Sequence, residues 1–183
     1  MVDQSGKREF GASMFRGVSE LSLDSKGRLA IPTRHRDLLF FQAPVKAEQS
    51  LPNATSRDEG NQGTCVITID TQERCLLIYP LAQWEIIEQQ IEALPSFNAQ
   101  ARKVQRLLLG HATEVNADSH NRLLIPPPLR EFANLDKQVV LVGQGKKFEL
   151  WNKSEWDTQR ETWLKEETKD GDELPPSLMS ISL

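Results

Sequence analysis

Apolar residues along this chain come in short runs, broken by polar turns and by proline, and most of the runs predict strands. Val18-Ser19-Glu20-Leu21-Ser22-Leu23 alternates in part and stops at a turn signal, and Leu29-Ala30-Ile31 resumes the pattern beyond it. These two runs predict a hairpin. Pro32 stops the second strand, and Thr33 is placed to open a short helix through Arg34 to Phe41. Cys65-Val66-Ile67-Thr68-Ile69 and Cys75-Leu76-Leu77-Ile78-Tyr79 flank the polar turn Asp70-Thr71-Gln72-Glu73-Arg74 and predict another hairpin. A longer helix starts near Pro80 and carries Trp84, Ile87, Ile91 and Leu94 on one face at helical spacing. Pro95-Ser96-Phe97-Asn98 breaks it. Asn98 then caps a further helix through Val104, Leu107 and Leu108, for which Gly110 is the natural stop.

The whole order returns downstream. Asp24-Ser25-Lys26-Gly27-Arg28-Leu29-Ala30-Ile31-Pro32 reappears as Asp118-Ser119-His120-Asn121-Arg122-Leu123-Leu124-Ile125-Pro126. Leu77-Ile78-Tyr79 with Trp84 is answered by Glu149-Leu150-Trp151 with Trp156. Pro127 and Pro128 can only open the matching short helix, to Ala133. Val139-Val140-Leu141-Val142, a Gly143-Gln144-Gly145 turn and Phe148-Glu149-Leu150-Trp151 predict the second hairpin of this copy, with its longer helix starting near Asn152. Gly27 and Asn121 hold the same place in the two turns, and both residue types tolerate a positive φ. Asp24 and Asp118 fit the turn start, where a short carboxylate accepts backbone N–H groups. Duplication on this scale implies a unit that cannot bury its apolar face alone and pairs with its twin. The 183 residues therefore predict two half-modules fused into one core.

The formal charge of −4 argues against a polyanionic partner until its distribution is considered. Residues 155–173 hold eight acids and three bases, whereas Phe15 to Arg36 holds five bases and two acids. Local field matters more to a polyanion than net charge does. No apolar run reaches membrane-span length, and Met1 to Ser13 lacks the greasy stretch of a secretory signal. Cys65 and Cys75 have neither metal-site spacing nor the density of a disulfide scaffold, which points to a reducing cytosol. Pro44 to Gly63 is polar and lengthens the first copy, so it reads as a flexible surface loop; the tail after Lys169 also reads as mobile. Residues 1–14 read as an unstructured extension, with Met14 as a second candidate start.

Several blocks, in order, resemble a known family. They are Met14-Phe15-Arg16-Gly17, Leu23-Asp24-Ser25-Lys26-Gly27-Arg28-Leu29, and Pro80-Leu81 with Trp84-Glu85-Ile86-Ile87-Glu88-Gln89. Arg106-Leu107-Leu108-Leu109-Gly110-His111-Ala112 and Phe148-Glu149-Leu150-Trp151 follow. From Met14 to about Trp163 the chain resembles the MraZ family of bacterial transcriptional regulators. The resemblance implies an α+β fold, mainly β with helices, in which two tandem SpoVT/AbrB-like swapped-hairpin half-modules form one pseudo-twofold β-barrel with flanking helices. Repeat one would occupy residues 15–82, a linking helical hairpin 83–111, repeat two 112–155, and a C-terminal helix with its tail 156–183. The implied protein is cytoplasmic, associated with the nucleoid and assembled into a homo-oligomeric ring. It binds short promoter repeats in double-stranded DNA upstream of the division and cell-wall gene cluster, its own gene included. The family signature, an Asp followed four positions later by Arg, falls on Asp24/Arg28 and Asp118/Arg122. The residues before Met14 and the length of the Pro44 to Gly63 stretch depart from the family.

DNA recognition requires cations on a rigid mount, and Arg can bridge O6 and N7 of guanine or grip a phosphate. Arg28 is the first candidate, with Lys26 and Arg16 beside it; Arg34 and Arg36 on the following helix are weaker phosphate candidates. Arg122 is the counterpart in copy two, where His120 replaces Lys26, so copy one is expected to carry more of the affinity. The bland alternative is that each Asp–Arg pair simply pins its own turn; the two roles can coexist. His35, His111 and His120 stand apart from any ligand set and read as surface or turn residues, so no metal and no cofactor is expected. Glu85, Glu88 and Glu92 read as a solvated helix face, Trp84 and Trp156 as core anchors. No nucleophile motif or phosphate-cradling glycine loop appears, so neither an enzyme nor a small-molecule substrate is expected. The competing function is an antitoxin-like protein-interaction module.

Overall fold

The computed structural model describes residues 14–40 and 63–165. The expectations for residues 1–13, for nearly all of the Pro44 to Gly63 stretch and for the tail after Lys169 lie outside the described residues. Among the described residues, those up to Lys153 form one compact unit and those from Ser154 to Lys165 belong to a second.

The elements run β1 (Phe15–Ser22), β2 (Arg28–Ala30), α1 (Thr33–Phe40), β3 (Thr64–Ile69), β4 (Leu76–Pro80), α2 (Leu81–Glu92) and α3 (Ala99–His111). They continue with β5 (Thr113–Asn116), β6 (Arg122–Leu124), α4 (Pro127–Phe132), β7 (Gln138–Gly145), β8 (Lys147–Asn152) and α5 (Lys153–Lys165). The fold is α+β, with every strand pairing antiparallel. No helix among the described residues is long and apolar enough to cross a membrane.

Strand partners differ from the hairpin that local pattern predicts around Asp24. β1 pairs not with β2 but with β7, from Phe15↔Gly145 to Ser22↔Gln138, and β2 pairs with β6 of the other repeat. A lone bridge, Leu23↔Leu29, joins the two sides of the turn. The reason is burial. A two-stranded ribbon is marginal in water, whereas exchange between repeats leaves Leu29, Ile31, Leu123 and Ile125 with no exposed surface. The same exchange pairs β5 with β3 of the first repeat, while β4 pairs with β8. Two sheets result, a six-stranded one in the order β1-β7-β8-β4-β3-β5 and the separate β2-β6 pair. The larger sheet ends at β1 and β5 and is not closed, so the continuous barrel implied by the resemblance is not seen. Gly143, Gln144 and Gly145, expected to form the turn, lie instead within β7, paired with β1. Gly143 permits that approach, because a β-carbon there would collide with the backbone of Phe15 and Arg16.

Phe15, Leu29, Ile31, Ile67, Ile78, Leu123, Ile125, Leu141, Phe148 and Leu150 form the centre of one core shared by both repeats. His35 belongs to it too, contrary to the surface position expected from sequence. It is 7 % exposed, with its ring 4.8 Å from Phe148 and 6.0 Å from Phe15. Burial, and then the neighbouring Arg34 cation, hold its pKa below the usual 6.5. Trp84 is buried on α2 as expected, and its Nε1 donates to Glu88 Oε1 at 3.4 Å, so Glu88 is more than a solvated face. Leu94, expected on the apolar face, lies past the end of α2 and is exposed. Asn98 caps α3 as its type demands, Oδ1 accepting from the N–H groups of Gln100 and Ala101. Gly110 does not stop that helix; α3 continues to His111, and Ala112 is the C-cap in an extended conformation. In the second unit the rings of Trp156 and Trp163 meet edge-on along α5 at 6.0 Å.

Candidate nucleic-acid interface

Each Asp–Arg turn is built around one carboxylate. Asp24 Oδ1 accepts the backbone N–H groups of Lys26 and Arg28, both at 2.9 Å, and Oδ2 accepts Arg28 Nε at 2.6 Å. Main-chain bonds close the loop: the Asp24 N–H donates to the Arg28 carbonyl and the Gly27 N–H to the Asp24 carbonyl. Copy two repeats the arrangement. Asp118 Oδ1 accepts from His120 and Arg122, and Oδ2 faces Arg122 Nε at 2.8 Å and Nη2 at 2.7 Å. Gly27 sits at φ 78° and Asn121 at φ 56°, the left-handed positions that the turn pattern required. Asp24 and Asp118 thus each hold the backbone and the arginine of their own turn.

The turns also hold each other. Ile31 donates its N–H to the Asn121 carbonyl at 3.2 Å, and Ile125 reciprocates to the Gly27 carbonyl at 3.0 Å. These bonds flank the β2–β6 register Arg28↔Leu124, Leu29↔Leu123 and Ala30↔Arg122. Arg28 and Arg122 thus emerge from one short ribbon, each with 28 % of its side chain exposed. Hydrogen bonds to the charged form, led by the Arg28 backbone N–H, pull the pKa of Asp24 down from 3.8 to about 2. The Arg122 side chain leads the same effect at Asp118, driving that carboxyl further down. Both carboxylates stay ionised at neutral pH and keep the arginines oriented.

The other sequence candidates divide. Lys26 is exposed at the first tip and His120 at the second. Arg34 is committed, Nη2 donating to Ser19 Oγ and Nε to His35 Nε2, each at 2.9 Å. Arg36 is committed as well, through Nε to the Ile31 carbonyl at 2.8 Å. Arg16 is exposed on β1, but six strand steps separate it from Ser22, about 20 Å at the usual rise. It does not stand beside Arg28.

A residue that sequence reasoning missed stands next to the first turn. The guanidinium of Arg130, on α4, packs against Gly27 so closely that a β-carbon there would lie 2.5 Å from Nη1 and 2.6 Å from Cζ. Arg130, Lys137, Asp136, Ser25, Asp24 and Gly27 line a cleft of about 440 Å³. The available signal was the comparison of repeats: Arg130 aligns with Arg36, yet Gly27 aligns with Asn121.

Comparison with known proteins places the chain. A family model described as "MraZ protein, putative antitoxin-like" matches residues 55–107 and 108–174. The chain belongs to the MraZ family. It is 54% identical over 170 residues to "Transcriptional regulator MraZ" of Coxiella burnetii (strain Dugway 5J108-111), covering 93% of this chain and 100% of the relative. MraZ proteins so named from Legionella pneumophila (strain Corby) and Halorhodospira halophila (strain DSM 244 / SL1) are 49% and 47% identical over the same shares. The MraZ match contains the whole second turn, Asp118 to Arg122, and both longer helices that precede it.

Proposed function

We propose that this chain is a non-enzymatic transcription regulator that binds double-stranded DNA sequence-specifically, with Arg28 as its principal base-reading residue. The observation that carries the reading is the pair of arginines on the β2–β6 ribbon, each part-buried with 28 % of its side chain exposed and each held by an ionised carboxylate. A two-stranded ribbon fits the major groove, and a fixed guanidinium can bridge O6 and N7 of guanine. The bond from Arg28 to Asp24 runs through Nε, the nitrogen least needed for that bridge, while Arg122 gives both Nε and Nη2 to Asp118. Together with Lys26 in place of His120, this favours the first turn as the stronger contact. Lys26 serves phosphate or base; Arg122 and Arg16 add weaker contacts. Arg34 and Arg36 mainly brace α1 and reach phosphate only if they leave their present partners. The Asp24, Gly27, Asp118 and Asn121 positions shape the turns.

The finer reading follows from the resemblance. The two exchanged half-modules act as one pseudo-twofold barrel-like body in the cytoplasm, at the nucleoid. Homo-oligomers, as rings, engage several spaced promoter repeats before the division and cell-wall genes. One turn offers few base contacts, so effective concentration across subunits supplies the affinity. Footprinting of the purified protein on DNA upstream of its own gene tests this; protection of regularly spaced repeats is expected, and no protection overturns it. The antitoxin-like description of the family favours a second reading, a protein-masking module. Stoichiometric copurification of a protein partner without salt-sensitive DNA binding is its distinguishing result.

A further inference from the structure

Arg130 is the guanidinium beside the first turn for which no acceptor is found among the described residues. Arg28 and Arg122 are held by carboxylates, Arg34 by Ser19 and His35, and Arg36 by the Ile31 carbonyl. Arg130 Nε is buried without a partner among the described residues, which is rare for a donor in a native protein.

Its position is specified from the other side by Gly27. Turn geometry alone does not require glycine there, since Asn121 holds the equivalent place at φ 56° in the second turn. A β-carbon at Gly27 would stand 2.5 Å from Arg130 Nη1, so a side chain there displaces the guanidinium from its present seat. Copy two has that β-carbon at Asn121, and Arg36, the repeat counterpart of Arg130, has turned to the Ile31 carbonyl instead. A guanidinium with no hydrogen-bond acceptor among the described residues thus lies beside the first turn, while its repeat counterpart is engaged.

Lys137 lines the same cleft, and its backbone is fixed there by the Leu23 N–H, which donates to the Lys137 carbonyl at 2.9 Å. Of the two acids in the cleft, Asp24 already has Oδ1 and Oδ2 engaged by Lys26 and Arg28, and Asp136 is exposed. We propose that this cleft is a phosphate seat, in which Arg130 and Lys137 take a backbone phosphodiester of the duplex that the first turn reads. The inference rests on the DNA-binding reading above. A phosphate supplies acceptor oxygens to the two Nη nitrogens of Arg130, Nε itself being sealed from solvent, and such a contact sets the register of the turn without reading sequence.

The test compares full-length wild type, Arg130→Gln and Gly27→Asn by fluorescence anisotropy on a promoter-repeat duplex and a scrambled duplex across salt concentrations. Wild type must first bind with salt sensitivity; if it binds neither duplex, the DNA reading itself fails. Given wild-type binding, each variant is expected to weaken both duplexes alike, by about fivefold to tenfold, and to flatten the salt slope by about one per engaged subunit. A methylphosphonate at one phosphate near the repeat should erase the difference between wild type and Arg130→Gln. Unchanged salt slopes, or a loss confined to the promoter duplex, overturn the phosphate seat while leaving the DNA reading intact. Inorganic phosphate separates the sources: if it raises the melting temperature of wild type but not Arg130→Gln while the DNA slopes coincide, the seat serves free phosphate and the proposal falls. Gly27→Asn keeps every charge, so a flattened slope in that variant sustains the proposal even if Arg130→Gln fails to fold.

Discussion

Arg122 Nη1 lies 3.8 Å from Asp24 Oδ2, so the arginine of the second repeat reaches the carboxylate that anchors the first. Asp24 therefore serves two guanidinium groups, whereas among the described residues Asp118 meets only its own arginine. Asp24→Asn keeps an oxygen for the backbone N–H groups but removes the charge facing both arginines. It is expected to lower the melting temperature by more than Asp118→Asn does, and to reduce discrimination between promoter and scrambled duplex. Differential scanning fluorimetry and anisotropy check the two effects.

Acid should weaken the fold through these carboxylates. Both have folded-state pKa values below 3.8, so their stabilisation is complete above that value and is lost as pH falls through the folded pKa, about 2 for Asp24. Urea denaturation is expected to show this loss between roughly pH 4 and pH 2. A double Asp24→Asn, Asp118→Asn variant should flatten that limb; an unchanged limb would assign it to other groups.

His35 adds an earlier, separate decline. Its pKa is lowered in the fold, so the unfolded chain binds the proton first, and stability falls as pH drops below 6.5 towards the folded value. Protonation also removes the Nε2 acceptor of Arg34 and sets two cations together. His35→Phe keeps an aromatic ring against Phe15 and Phe148 and should abolish the slope between pH 7 and pH 5, as read by thermal melts.

Arg28→Ala should remove most specific binding, by about tenfold or more per engaged site, while lowering the melting temperature no more than Asp24→Asn does and leaving the oligomer size nearly unchanged. Arg122→Ala should cost less. Anisotropy measures the first effect and size-exclusion chromatography with light scattering the second. Normal promoter binding by Arg28→Ala would remove that residue from the interface.

Leu29 and Leu123 face each other across β2–β6 with no exposed surface. Truncating either to Ala removes buried methyl groups from a ribbon only three residues long, and should cost about 2–5 kcal/mol in urea unfolding. The double variant should cost less than the sum of the two, because contacting side chains share the loss.

Much of this molecule is legible residue by residue. The Asp-x-x-x-Arg turns, the left-handed positions of Gly27 and Asn121, the Asn98 cap and the β3–β4 and β7–β8 hairpins all depend on groups a few positions apart. Local sterics and hydrogen bonding determine such features, so the chain carries their signal whatever surrounds it. The Asp–Arg pairs belong to the same class, being four residues apart on one turn.

Partners distant in the chain were decided only by assembly. Nothing near Val18 says that β1 will leave β2 for β7, because both ribbons satisfy the same local pattern and the choice turns on how much apolar surface the whole core hides. His35 became a core residue for that reason, once Phe15 from β1 and Phe148 from β8 met around it. Arg130 is the extreme case. Its importance depends on the absent side chain of Gly27, 103 residues earlier, and only the packing of one repeat against the other brings the two together.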